Sequence, residues 1–322
     1  MVSLYDEESA NRRNSLLLVF AVMVAFALFG YVIGYALTGD AGGATTAVIV
    51  ALALSIVSAL ASYFGGDQVV LKSSQAREIT RPQAPELFDV VEEMAAAAGV
   101  PMPRVYVIDD ASPNAFATGR DPAHASIAVT TGLLRRLDRE ELQGVIGHEM
   151  SHVRNYDIRF SLLVGVLVGG ISLLAQFFLR WTFWFGGGNR RDSRDSSEVL
   201  GAIFLLLGLV LSILAPIFTT LVQMAVSRQR EYLADASSVE LTRNPCGLER
   251  ALAAISSDPE PLQVANGATQ HMYIVNPFKK AGGTSALFST HPPIVDRINR
   301  LRQLTGEAPL DRRAVTALAE LQ

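Results

Sequence analysis

The chain has 322 residues, half of them apolar, with a formal net charge of −4 and a single cysteine, Cys246. One cysteine excludes an internal disulfide framework, and the slightly acidic balance without a basic stripe argues against nucleic acid as a partner. The apolar excess lies in four uncharged runs, Leu16 to Leu37, Ala44 to Phe64, Phe160 to Leu179 and Val199 to Ala225, each as long as the ~20 residues a helix needs to cross hydrocarbon.

In chain order, Arg12 and Arg13 stand against the first run, whereas the connection from Thr38 to Gly43 carries no basic residue. The positive-inside rule then places the N-terminus in the cytoplasm and returns the chain there near Gly65. The first run is too long for a signal-peptide core and is read as a retained anchor. From Gln68 the composition becomes that of a globular domain. Pro85 to Ala98 has helical periodicity closed by Gly99, and Arg104 to Ile108 and Ser126 to Thr131 read as strands. Asn114 to Thr118, after the turn Ser112-Pro113-Asn114, is a candidate edge strand to which an extended peptide can add. Asn114, Ala115 and Phe116 would be its substrate contacts; an ordinary surface hairpin is the alternative.

The next stretch is V-I-G-H-E-M-S-H-V-R-N-Y-D, residues 145 to 157. Asp138 and Glu141 form a capping-box pattern, and Leu142, Val145, Ile146 and Met150 follow at helical spacing. On that helix His148 and His152 share a face, where two imidazoles can hold one Zn²⁺ while Glu149 reaches an activated water. A His pair that is merely solvated or packed is the alternative. A third histidine six residues on would make a metzincin, but that position is Ile158.

The third apolar run begins just after His152 and the fourth ends just before Glu231, so both ligand-bearing helices lie close to a membrane end. The polar loop between them carries Arg190, Arg191 and Arg194. Because His152 and Glu231 must share a side to share a metal, two crossings are favoured over a re-entrant pair. A helix then runs through Glu231 and Asp235 to about Thr242. Asn244-Pro245-Cys246-Gly247 breaks it, Leu248 to Ile255 is helical, and residues 257 to 285 are turn-rich. S-T-H-P-P precedes a helix with Ile294, Ile298 and Leu301 on one face and Asp296 and Arg300 as an i,i+4 pair. Glu231 is the best candidate for the third metal ligand, with Asp235 one turn on to accept a hydrogen bond from a ligand histidine. Taken alone, a pair of solvated acids on a helix surface is the better reading of the two. His124 and His271 have no motif around them and are expected at the surface.

Four stretches together resemble the HtpX-type membrane zinc proteases, gluzincins related to the CAAX prenyl proteases: H-E-M-S-H-V-R-N-Y-D at 148 to 157, E-Y-L-A-D at 231 to 235, P-N-A-F-A-T-G at 113 to 119, and S-T-H-P-P at 289 to 293. Their order and the intervening hydrophobic hairpin also match. The resemblance implies one zinc per chain held by His148, His152 and Glu231, Glu149 as catalytic base, Asp235 behind a ligand, and cleavage of misfolded or short-lived membrane proteins. It also places His291 near the site, as a candidate oxyanion donor or else a turn histidine.

The expected fold is an α+β membrane protein: a mostly helical zincin-like catalytic domain with a small sheet, plus four transmembrane helices. The expected divisions are residues 1–66, two membrane helices; 67–157, the first part of the catalytic domain; 158–226, a membrane hairpin; and 227–322, the second part. The expected function is a multi-pass, plasma-membrane zinc endopeptidase with a cytoplasmic catalytic domain, acting on polypeptides beside the lipid bilayer in protein quality control. A CAAX-type prenyl-protein protease and a non-catalytic membrane zinc scaffold are the alternatives. A site-2-type intramembrane protease fits less well, because Arg135, Arg136, Asp138, Arg139, Glu140 and Glu141 precede the motif where that class is apolar.

Overall fold

A computed structural model of the protein describes residues 4–164, 228–266, 269–278 and 292–320. It opens with two long antiparallel helices, α1 (Leu4–Thr38) and α2 (Ala41–Ser73), joined through Asp40, whose carboxylate caps α2 by accepting the Gly43 N–H. Gly30 and Gly34, one turn apart, hold them together. A Cβ at Gly30 would lie 2.7 Å from the Ala47 carbonyl oxygen and one at Gly34 2.6 Å from the Ala47 Cβ. Only glycine allows the two backbones to approach this closely, which is how helices pack where water supplies no hydrophobic force. The outer flanks carry exposed Leu16, Leu17 and Phe20 on α1 and Ile49, Leu54, Val57 and Phe64 on α2.

Four membrane helices are expected from the sequence. Among the described residues, α2 alone is long and apolar enough to cross a membrane. Of the third run only 160–164 is described, as helix, and the fourth run, the loop at 186–197 and His291 lie outside the described residues.

Past the apolar section α2 enters the globular part. There Val70 and Leu71 pack with Tyr106, Ile108, Phe116, Ala128, Leu162 and Tyr273 against one face of a four-stranded sheet. Its strands are β1 (Arg77–Glu78), β2 (Arg104–Ile108), β3 (Ala115–Gly119) and β4 (Ala125–Thr130), in the order β1-β2-β4-β3. β2 and β4 run parallel with Tyr106 opposite Ala128, and β3 returns antiparallel with Ala117 opposite Ile127. Val105, Val107, Ala117, Ile127 and Val129 serve the opposite face, which packs into the main core. A strand buried on both faces shows a continuous apolar run rather than alternation, and I-A-V within β4 is such a run.

The helices are α3 (Pro85–Ala98), α4 (Thr131–Arg136), α5 (Arg139–Arg154), α6 (Arg228–Thr242), α7 (Pro245–Ser257), α8 (Ile294–Thr305) and α9 (Arg312–Glu320), with a further helical stretch at 157–164. α5 is the central one. Asp138 accepts the Glu141 N–H while the Glu141 carboxylate accepts the Asp138 N–H, the reciprocal cap expected from D-R-E-E. Leu142, Val145, Ile146, Met150 and Val153 are all buried, each contributing about 1.5–3 kcal/mol. Gly144 lets α7 cross at contact distance: a Cβ there would sit 2.6 Å from the Leu248 nitrogen. α6 lies alongside, with the Ser238 hydroxyl donating to the Gly144 carbonyl at 2.7 Å.

Candidate metal centre

α5 carries His148 and His152 one turn apart, and their Nε2 atoms converge to 3.2 Å. α6 presents Glu231 across from them, Oε2 at 3.7 Å from His148 Nε2 and Oε1 at 3.8 Å from His152 Nε2. One donor atom from each of the three lies within 4.8 Å of the others. A tetrahedral ion with bonds of about 2.0–2.1 Å to nitrogen separates two imidazole donors by roughly 3.3 Å. The pair therefore has the spacing of two zinc ligands.

The other nitrogen of each histidine is spoken for. His148 Nδ1 lies 3.0 Å from Asp235 Oδ1, and His152 Nδ1 lies 2.9 Å from Asp157 Oδ2. Carboxylates there hold both protons on Nδ1 and leave both Nε2 lone pairs aimed at one point. Asp235 is one helical turn beyond Glu231, so the two acids face α5 together. Asp157 reaches back because α5 stops at Arg154 and Tyr156 takes a left-handed conformation with φ of 60°. Arg230 Nε lies 2.9 Å from the other oxygen of Asp157.

Arg297 of α8 closes the site from behind. Its side chain is fully buried, and it donates from Nε and Nη2 to Asp235 at 2.9 and 2.6 Å and from Nη1 to the Ile274 carbonyl at 2.8 Å. Glu149 is also buried, with no hydrogen-bond partner for Oε1 among the described residues. Burial pushes its pKa up to about 7. Burial likewise lowers His148 to about 4, with Arg297 and His152 adding to it. At His152 burial acts downward, but the Asp157 carboxylate outweighs it and raises the ring to about 9. Burial would raise Asp235, yet Arg297 holds it well below the usual carboxylate range.

Glu149, Asp157, Glu231 and Asp235 crowd acidic groups into a buried place beside Arg230 and Arg297. Two imidazoles with one carboxylate, leaving a position open, are the donor set of catalytic zinc.

His148, His152, Glu231, Glu149 and Asp235 are thus brought together. Ala115 and Phe116 lie on the sheet's edge strand and Asn114 just before it, but under another segment. The Ile274 N–H donates to the Ala115 carbonyl at 3.0 Å, the Asn114 amide donates to the Val275 carbonyl, and Phe116 stacks edge-on with Tyr273 at 5.1 Å. The site cavity is reached only at Ala117. His271, expected at the surface, is buried in the cavity wall with Nε2 3.0 Å from the Ser161 carbonyl; the turn-rich segment that carries it folds inward along β3. Arg300 lies over the Tyr232 ring at 3.6 Å rather than pairing with Asp296. Asp157 and Arg297 are the two site residues the sequence reading passed over. Arg297 had a signal, since it shares the 294, 297, 298, 301 face with three apolar residues and a cation on such a face needs a buried anion.

The family model for peptidase family M48 matches residues 82–305, which contain the whole cluster. The chain belongs to peptidase family M48. Similar proteins described as "Protease HtpX homolog" include one from Ligilactobacillus salivarius, 48% identical over 301 residues, and one from Streptococcus gordonii, 46% identical over 302; each alignment covers 94% of this chain and 100% of the relative. One from Caldanaerobacter subterraneus is 45% identical over 303 residues, covering 94% of this chain and 98% of the relative. An M48 peptidase of the HtpX type is a metalloprotease.

Proposed function

We propose that this M48 protein is a membrane-anchored zinc endopeptidase that hydrolyses unfolded or membrane-derived polypeptides at the cytoplasmic face, with His148, His152 and Glu231 as ligands. The observation that carries the reading is Glu149: a buried carboxylate with one oxygen unbonded among the described residues, beside the three donors. Zinc, when bound, polarises the scissile carbonyl and makes water at the site a better acid. Glu149 takes the proton of the attacking water and delivers it to the departing amine; a pKa near 7 suits both halves of that task. Asp235 and Asp157 keep the two imidazoles in the tautomer that offers Nε2. The peptide lies along the outer edge of β3 beyond Ala117, the strand residue that lines the cavity.

The membrane reading is supported by the exposed apolar flanks of α1 and α2, which in water would form a patch far larger than a soluble monomer carries. Arg159 lies 5.7 Å from the Tyr63 ring and Arg120 5.4 Å from Phe64 where α2 meets the domain, the composition of a membrane-interface belt. The test is cleavage by detergent-purified, zinc-loaded protein. A chemically unfolded soluble protein should be cut, chelation should stop it, and added zinc should restore it. Cleavage confined to prenylated C-terminal peptides would favour the CAAX-type reading. Zinc binding without cleavage of any of these would leave the scaffold.

A further inference from the structure

We propose that Arg297 is a positioning residue that couples the metal centre to the peptide-binding edge; the inference rests on the peptidase reading above. The side chain is 0% exposed, so its charge is tolerated only because each branch is matched. One branch serves the metal: Nε and Nη2 grip both oxygens of Asp235, and Asp235 orients His148. The other serves the substrate edge: Nη1 donates to the Ile274 carbonyl, and the Ile274 N–H donates to the Ala115 carbonyl on the outer side of β3. Tyr273 forms a bridge with Phe116 beside it. Residues 273–275 are therefore a strand stub laid along the edge of the sheet, and Arg297 fixes where it sits.

That position matters for register. In antiparallel pairing the outward groups of β3 fall on alternate residues, Ala115, Ala117 and Gly119. The stub takes Ala115 and, through the Phe116–Tyr273 bridge, sets Met272 beside Ala117, whose backbone N–H faces Glu149, so the stub ends where an added peptide must start. Moving the stub moves the scissile bond relative to Glu149 and to the ligands. A guanidinium can hold Asp235 with two parallel bonds and still reach the carbonyl; a lysine ammonium at the same place cannot serve both branches.

The test compares full-length wild type, R297K and D157N. Zinc affinity is read by competition with a chromogenic chelator, and KM and kcat are read on a quenched fluorescent peptide at saturating zinc. Both variants should bind zinc about 10–100-fold more weakly, as loss of a carboxylate partner behind a ligand does. R297K alone should also raise KM several-fold, whereas D157N, which leaves the Arg297–Ile274 bond in place, should keep KM within about twofold and lose kcat. Equal KM values in the two variants, or wild-type zinc affinity in R297K, would overturn the proposal. Should R297K fail to fold, the double variant D235N/R297Q removes both buried charges together and should show the same KM rise; an unchanged KM there overturns it equally. If wild type cuts no peptide, the peptidase reading fails by itself. The coupling is then read from anisotropy of the same peptide on zinc-loaded protein, where weaker binding to R297K than to D157N is required.

Discussion

At the residue scale, the site is made of groups whose second valence is already committed. His148 and His152 each give one nitrogen to a carboxylate, and Glu149 keeps one oxygen without a hydrogen bond among the described residues. The ligands therefore should not be equivalent to their supports. Glu231→Gln removes the anionic donor and is expected to weaken zinc more than 100-fold. Asp157→Asn leaves all three donors and is expected to weaken it about 10–100-fold. Chelator competition on the two proteins checks the order, and an Asp157→Asn affinity as poor as that of Glu231→Gln would contradict it. The ligand pair was legible in the sequence because i and i+4 on a helix are neighbours whatever the tertiary fold. Asp157 was not, because its value lies in a contact made by a turn after α5; Arg297 showed only as a cation on an apolar helix face, with its partner Asp235 on another helix.

At the element scale, local signals sufficed for most helices. The Asp138 cap, Gly99 and the Asn244-Pro245 break mark the boundaries of α5, α3 and α7 in the chain itself. The sheet was different. β2 pairs with β4 in parallel and β3 sits outside, and such an order depends on long-range pairings that no window of sequence contains. Gly144 shows how packing overrides local preference. Alanine is the better helix former by about 1 kcal/mol, yet a methyl at 144 would press on the α7 backbone, and overpacking costs about 1–3 kcal/mol. Gly144→Ala is therefore expected to lower the thermal midpoint. A midpoint equal to or above wild type would show that α5 and α7 can separate without cost.

At the scale of the whole molecule, α2 is both a membrane-length helix and, at its end, part of the catalytic core through Val70, Leu71 and the Ser74–Tyr273 hydroxyl contact at 3.3 Å. The membrane-length helix is thus packed into the catalytic domain rather than tethered to it by a linker. The protein should stay with membranes through alkaline carbonate washing, and appearance in the supernatant would contradict the anchor. Cys246 is the single cysteine and is partly exposed at the start of α7, so an impermeant maleimide reports sidedness without engineering. Labelling of Cys246 only after intact cells are permeabilised fits a cytoplasmic domain; labelling beforehand reverses the topology. Apolar runs were plain in the sequence because length and composition define them. Their number as spans was not, since composition alone does not say whether an apolar run crosses the bilayer or re-enters it.

The measurement that bears most directly on the account pairs zinc content with cleavage in the same preparations of wild type and Glu149→Gln. The glutamine keeps the shape of the pocket and is not a ligand, so both proteins should hold one zinc per chain. Cleavage of an unfolded protein should fall by about 10²–10⁴ in the variant, the usual contribution of a general base. Equal cleavage by the two proteins at equal zinc would contradict the role assigned to Glu149, and with it the mechanism.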